Sequence, residues 1–439
     1  MTKSEMVNRM GIIRDQAERF WNGEITVATQ HPLLPTGEFE EVAEGVVFYR
    51  WLANVVAAKS EEGLVLIDTG ASINQSETVA MVRKFTPDRV HTAIYTHGHL
   101  DHACGMPAFV AEAQQQHRAR PRVVAHRATA ARFDRYKRTG GYNELINARQ
   151  FGASLRWPTE YVYPDTYFDN RLTVTAGSLR FECHHGRGET DDACWVYLPQ
   201  RKVLCTGDFI IWATPNAGNP QKSQRYAREW AEALRAMASS GAQVLLPGHG
   251  VPVFGLTRVR QILLDTAEYL QSLYDQTVAM MNQGARLDQI LEEVRPRADL
   301  AVKPYLQAVY DEPQFIVRNI WRLEGGWYDG LPSQLKPASW AAQGREVVNL
   351  AGGIEPVILR AREKLDQGEL ALAAQLIDWA ALDSPDDQRV HEVRAKVYLA
   401  RMRAESSTMS RGIFREAALD SAARAGITLP ELPRGLFSD

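Results

Sequence analysis

Apolar and polar positions change their period several times along the chain, and each change predicts an element. Residues 3–21 place apolar side chains at helical spacing, which predicts a helical lead. Beyond Pro32 and Pro35 come apolar stretches at 42–50 and 53–58, then a break at Glu61-Glu62-Gly63. Leu64-Val65-Leu66-Ile67-Asp68-Thr69-Gly70 follows, and its unbroken apolar start predicts a strand buried on both faces. Helical spacing over 73–85, a short apolar run at 93–95, helical spacing over 107–117 and a strand at 122–125 complete a β and α alternation. Such alternation implies sheets covered by helices.

Residues 127–151 are rich in Arg, Tyr and Asn around Gly140-Gly141 and predict a helical excursion, either a cover over a pocket or a solvated connector. Strands resume at 171–175, 179–184, 194–198 and 203–205, a helix at 225–239, and a last short strand at 243–246 ends in Pro247-Gly248-His249-Gly250. From residue 257 the pattern is helical almost throughout, over 259–283, 287–294, 354–367, 370–384, 387–405 and 411–426. The fold class this predicts is α/β at residues 1–256, followed by a mostly helical domain at 257–439. The last four helices read as stacked hairpins, too few for a repeat array, whose apolar stripes face a core or a subunit contact.

Composition narrows the function. A chain of 439 residues with 45% apolar content can bury a core in each of two or three domains. Its net charge of -3 and the lack of a long Lys/Arg block set nucleic acid aside as the main partner and favour a small molecule. Charged residues interrupt the first twenty positions, so no signal-peptide apolar region forms, and no apolar stretch approaches the ~20 residues that span a bilayer. The expected location is the cytoplasm, with no membrane partner. Cys104, Cys183, Cys194 and Cys205 form no CxxC pair, which agrees with a reducing compartment, and Cys104 reads as a packed side chain.

The candidate chemistry is concentrated in Thr96-His97-Gly98-His99-Leu100-Asp101-His102. Of 11 His in the chain, three lie in this heptapeptide beside one Asp. If a strand ends here, His97 and His99 point the same way and converge on one ion, while Asp101 and His102 turn toward a second. Imidazole and carboxylate donors suit zinc best, with iron or manganese less favoured. Two ions need further donors. Three glycine-flanked candidates follow short apolar strands: Glu189 in Gly186-Arg187-Gly188-Glu189-Thr190, Asp208 in Thr206-Gly207-Asp208, and His249. His184 and His185 rival Glu189.

HxHxDH, the strand ending in Asp68-Thr69-Gly70, Thr206-Gly207-Asp208 and Pro247-Gly248-His249-Gly250 together resemble the metallo-β-lactamase fold superfamily over residues 42–255. The Glu at 189, nineteen positions before Asp208, is similar to the zinc-dependent alkylsulfatases. So are Arg318-Asn319-Ile320-Trp321-Arg322 and Gly326-Trp327-Tyr328-Asp329-Gly330, which look like their dimerisation domain. The resemblance implies an αββα sandwich followed by that domain. It implies two zinc ions per chain, one on His97, His99 and Glu189, the other on Asp101, His102 and His249, with Asp208 bridging and Asp68 orienting the ligand loops.

Three features depart from the alkylsulfatase pattern. The bridging acid is Asp208 rather than Glu, and Arg318 stands where a His precedes the Asn. The sequence also ends at Asp439 in helical material, where those enzymes continue into a sterol-carrier-like domain. A long-chain detergent is therefore not the expected substrate.

The expected activity is hydrolysis of a sulfate ester, or a related anionic ester, by water acidified between two metals, with Asp101 and Asp208 at the reacting centre. Guanidinium groups match sulfate oxygens, so Arg187, Arg225, Arg318 and Lys222 are candidate anion clamps with Asn319 as a neutral donor. Arg318 is singled out by its apolar neighbours. The alternatives are a lactonase, thioesterase or phosphodiesterase on the same fold, an iron oxidoreductase, which the intact HxHxDH disfavours, and a non-catalytic scaffold. The amphipathic tail and the resemblance imply a homodimer.

Overall fold

The computed structural model of the chain describes residues 11–153 and 156–430. Its strands make two sheets, each with neighbours in chain order. The first holds β1 (Glu38–Ala43), β2 (Val46–Arg50), β3 (Val55–Ser60), β4 (Gly63–Ile67), β5 (Val90–Ile94), β6 (Arg122–His126) and β7 (Thr166–Phe168). It is antiparallel from β1 to β4 and parallel from β4 to β7. The second holds β8 (Arg171–Ala176), β9 (Leu179–His185), β10 (Cys194–Leu198), β11 (Val203–Gly207), β12 (Val244–Pro247) and β13 (Val253–Phe254). There β11 and β12 run parallel and the other pairs antiparallel.

Parallel neighbours require a crossover, and helices provide it: Gln75–Phe85 between β4 and β5, Met106–Gln115 between β5 and β6, Ala227–Ala238 between β11 and β12. The sheets meet face to face in one apolar cluster that joins Phe48, Val65 and Ile94 of the first to Phe181, Val196 and Leu246 of the second. Behind the second sheet, Trp195, Leu204 and Leu245 pack with Trp230 and Leu234 and with the long helix Leu256–Asn282. β4 and β11 are buried along their whole length, as strands covered on both faces must be. The αββα sandwich expected from the sequence is the fold.

The chain separates into two compact units. Among the described residues the first comprises 11–140 and 158–327, the second 141–153, 156–157 and 328–430. Helical character begins at Leu256, next to the boundary expected at 256/257, yet the compact division falls at Trp327. The reason is packing: Ile262, Leu263, Leu270 and Leu273 of Leu256–Asn282 are part of the first unit's core. The second unit is helical, and Ile354–Asp366, Leu370–Asp383, Gln388–Ala404 and Thr408–Ala425 share a core around Val357, Ile377, Val397 and Ala418.

The helical lead runs over Ile12–Trp21, and its expected first residues lie outside those described. Among the described residues, the helices Pro313–Gly325 and Trp340–Leu350 and the short turns Ala298–Ala301 and Pro332–Leu335 went unpredicted. No helix of the described residues is long and apolar enough to cross a membrane.

Candidate metal centre

The His-rich segment does not lie on a strand. β5 stops at Ile94, the chain continues as a loop through His99, and Leu100–Ala103 forms one helical turn. His97 and His99 nevertheless converge, because the loop folds their rings together with His97 Nε2 2.8 Å from His99 Nδ1. Asp208 enters from the end of β11 and His249 from the end of β12. His97 Nε2 lies 3.6 Å from Asp208 Oδ2, His102 Nε2 3.1 Å from Asp208 Oδ1, and His249 Nε2 3.4 Å from Asp208 Oδ1. Asp101 Oδ2 is 3.6 Å from His249 Nε2, and Glu189 Oε1 is 3.6 Å from His99 Nδ1. Donor atoms of three groups fall within 4.8 Å of one another: His97, His102 and Asp208; Asp101, His102 and His249; His99, Glu189 and Asp208. All seven expected ligands are thereby brought together.

Asp68 orients this cluster. It sits just past β4 with φ 59°, in the left-handed region that Asp tolerates better than most residues. Its carboxylate accepts from Thr96 N, Thr96 Oγ1 and His102 Nδ1, each at 2.7 Å. His102 thus donates from Nδ1 and presents Nε2 to the site. Sequence reasoning missed several other supports. Asp192 accepts from Gly98 N, Thr129 Oγ1 and Arg132 Nε at 2.8–2.9 Å and so fixes the loop that carries His97 and His99. Asn54 Nδ2 donates to Pro247 O and Gly250 O on either side of His249, and His249 Nδ1 contacts Leu52 O.

Gly248 is required by close approach, since a Cβ there would stand 2.1 Å from Asp208 Oδ1 and 2.7 Å from Gly207 C. Gly248→Ala is expected to displace Asp208 and lower the metal content of purified protein, read by elemental analysis against the parent chain.

Burial and charge divide the protons of the cluster. Burial and then the neighbouring His102 lower His97 to about 4, and burial and then His97 hold His99 well below the usual range. Burial also acts to lower His102, but Asp208, Asp68 and Asp101 outweigh it and raise that imidazole well above its ordinary value. Burial acts to raise Asp208, and His102, His249 and His97 overcome it, so this carboxylate is held well below the ordinary range. Burial raises Glu189 against the pull of Arg225.

Two buried atoms at the centre, His102 Nε2 and Asp208 Oδ1, face each other at 3.1 Å and have no other hydrogen-bond partner in the protein. Buried polar groups call for full satisfaction, and a cation shared by the two would supply it. Nitrogen and carboxylate donors in this arrangement fit a divalent metal. Cys104 is buried and belongs to none of the three donor groups. His184 stacks on Trp195 at 4.0 Å, and His185 faces His126 at 3.8 Å with Nε2 2.9 Å from Asp191 O, so the geometry favours Glu189 over both.

The expected anion-binding residues are dispersed. Arg225 is buried and spends its guanidinium on Glu189, Nη2 to Oε1 at 3.1 Å and Nη1 to the backbone O at 2.9 Å, instead of facing a substrate. Asn319 is also occupied, its Nδ2 donating to Ala217 O at 2.8 Å and Arg225 O at 3.2 Å. Arg187 is exposed over the Tyr226 ring. Arg318 is exposed too, because in the helix Pro313–Gly325 its apolar neighbours Ile316, Val317 and Ile320 turn to the opposite, buried face. Lys222 lies within the electrostatic reach of both Glu189 and Asp101, and burial, followed by Arg225, lowers it to about 7.

Residues 49–249 match the family described as metallo-beta-lactamase superfamily, and residues 286–423 match alkyl sulfatase dimerisation. A linear primary-alkylsulfatase of Pseudomonas sp. is 28% identical over 77% of this chain and 68% of its own. An (R)-specific secondary-alkylsulfatase of Pseudomonas sp. is 26% identical over 78% of this chain and 56% of its own. An alkyl/aryl-sulfatase of Saccharomyces cerevisiae is 22% identical, again over 78% of this chain, which spans 57% of that relative. Among solved structures, the stereoselective inverting sec-alkylsulfatase Pisa1 from Pseudomonas sp. superposes with a TM-score of 0.80 at 23% identity, covering 89% of this chain and 66% of that one. At that identity the superposition speaks for the fold.

Proposed function

We propose, for a chain that joins a metallo-beta-lactamase superfamily domain to an alkyl sulfatase dimerisation region, the activity of a dinuclear zinc hydrolase of sulfate esters. Its substrates are short or polar esters rather than long-chain detergents, and it works as a homodimer in the cytoplasm through the helical region 257–439, with residues 1–256 as the catalytic domain. The observation that carries this reading is the convergence of His97, His99, Asp101, His102, Glu189, Asp208 and His249 within three overlapping donor groups.

His97, His99 and Glu189 would hold one ion, Asp101, His102 and His249 the other, and Asp208, whose oxygens face both halves, would lie between. When bound, the metal pair supplies Lewis acidity and an acidified water. The chain's own part is to aim these donors, to keep His102 in the tautomer that Asp68 dictates, and to bind the anionic head. Lys222 is retained for the last role. An arriving sulfate acts on it as Glu189 and Asp101 do and favours its charged form. Arg187 and Arg318 lie on exposed surface, and Arg225 and Asn319 act within the protein.

The test is a substrate panel on zinc-loaded chain: short and long alkyl sulfates, aryl sulfates, lactones, thioesters and phosphodiesters. Turnover of sulfates, with kcat/KM falling as the alkyl chain lengthens, is expected. Activity confined to the other esters would move the protein to a different hydrolase on this fold. Lys222→Met is expected to raise KM for sulfate esters about tenfold to a hundredfold with a smaller change in kcat, the signature of a lost charge-assisted contact worth ~1.5–3 kcal/mol. An unchanged KM would remove Lys222 from the anion site.

A further inference from the structure

The Glu189 oxygen that faces His99, Oε1, is also the one that its neighbours hold. Asn216 Nδ2 donates to its Oε1 at 2.5 Å, and Arg225 grips both its carboxylate and its backbone carbonyl. Asn216 and Arg225 belong to one irregular segment, 212–226, which follows β11 and has no ladder of its own. Trp212 and Thr214 tie the start of that segment to Val251, Leu306 and Gln307, and its inner stretch is held by the helix Pro313–Gly325 and the residues just before it, in the part of the chain matched to dimerisation.

Six hydrogen bonds and one close backbone approach make the attachment. Asp311, just before the helix, accepts from Gly218 N at 2.6 Å and Asn219 N at 3.2 Å. Gly218 is pressed so close that a Cβ would stand 2.5 Å from the backbone of Phe315. Asn319 Nδ2 donates to Ala217 O and Arg225 O, at the two ends of the loop's inner stretch. Gln224 Nε2 returns the bond to Asn319 O at 3.1 Å, and Arg322 donates to both Gln224 Oε1 and Asn319 Oδ1. Both N–H groups of the Asn319 amide are therefore taken, leaving no donor for an anionic substrate, and its effect on the centre runs through Arg225 to Glu189.

We infer that Asn319 and Gln224 are positioning residues for a metal ligand: the helix Pro313–Gly325 is a brace that sets Glu189, and with it the ion on His97 and His99. The inference rests on Glu189 being a ligand. A region matched to subunit association thus also carries part of the metal site's support.

The experiment loads the full chain with cobalt(II) and reads bound cobalt, its dissociation constants and its visible absorption, with circular dichroism and thermal unfolding as the check on folding. Glu189→Gln serves as the reference for a lost ligand. Asn319→Ala and Gln224→Ala are expected to stay folded, to weaken one of two cobalt ions about tenfold to a hundredfold, as for other supports of ligand orientation, and to shift the spectrum toward that of Glu189→Gln. Should Asn319→Ala not fold, Gln224→Ala decides, since its side chain is only half-buried. If both variants keep the parent's affinities and spectrum while Glu189→Gln loses an ion, the brace is overturned and the metal reading stands. If Glu189→Gln itself changes nothing, Glu189 is not a ligand and the inference falls with it.

Discussion

Asp208→Ala is expected to abolish turnover and to leave the chain unable to hold a metal pair. The carboxylate of Asp208 faces both halves of the centre, 3.6 Å from His97, 3.1 Å from His102 and 3.4 Å from His249. Lewis-acid stabilisation is worth several kcal/mol, and at ~1.36 kcal/mol per decade its loss lowers the rate about a thousandfold or more. Elemental analysis and kcat/KM on the same preparation check this, and a variant that keeps both ions and full rate would displace Asp208 from the centre.

The protons of the site set the pH dependence. His102 is raised above its ordinary value, so its ion pairing stabilises bare protein fully below pH 6.5 and is lost as pH climbs through the raised value. Asp208 is depressed, so its contribution is present above about 3.8 and is lost as pH falls through the depressed value. A cation needs His102 neutral at Nε2, so loading at neutral pH is expected to release protons, and affinity is expected to fall as the solution is acidified.

The second large effect is at Asp68. Asp68→Ala removes a buried carboxylate that satisfies Thr96 N, Thr96 Oγ1 and His102 Nδ1 together. Breaking a buried pair and stranding its partners costs ~3–5 kcal/mol, which denaturant unfolding measures as a shift of the midpoint. Asp68→Asn separates fold from function. An amide nitrogen facing His102 makes Nδ1 an acceptor and leaves the ring proton on Nε2, the atom that points at Asp208. That variant is expected to keep most of the stability and lose about tenfold to a hundredfold in metal affinity. If Asp68→Asn kept the parent's metal affinity as well as its stability, Asp68 would act by packing alone.

How much could be read from residues alone followed from how local the signal was. His97, His99, Asp101 and His102 are adjacent in the chain, and Asp208 and His249 each close a short apolar strand beside glycine, so composition and spacing exposed them. Their supports were not legible. Asp192, Asn54 and Asn216 look like ordinary turn residues until the fold brings them to Gly98, Gly250 and Glu189.

The apolar sequence neighbours of Arg318 do not describe its surroundings, for a geometric reason. Sequence neighbours on a helix point in different directions, so Phe315-Ile316-Val317 and Ile320-Trp321 describe the environment of Asn319's face rather than of Arg318. The helix itself carried its signals, Pro313 at the start and Gly326 at the end, and these would have placed it. β7 and β13, of three and two residues, are too short for any period to show.

The donors are not drawn from one layer. His97 to His102 leave the first sheet at β5, whereas Asp208 and His249 leave the second at β11 and β12. A cation seated among them is a rivet through the sandwich, so the two layers cannot part without discharging it. Opening the protein therefore empties the centre, and the resistance of the folded chain to proteases is expected to rise with the supply of metal around it.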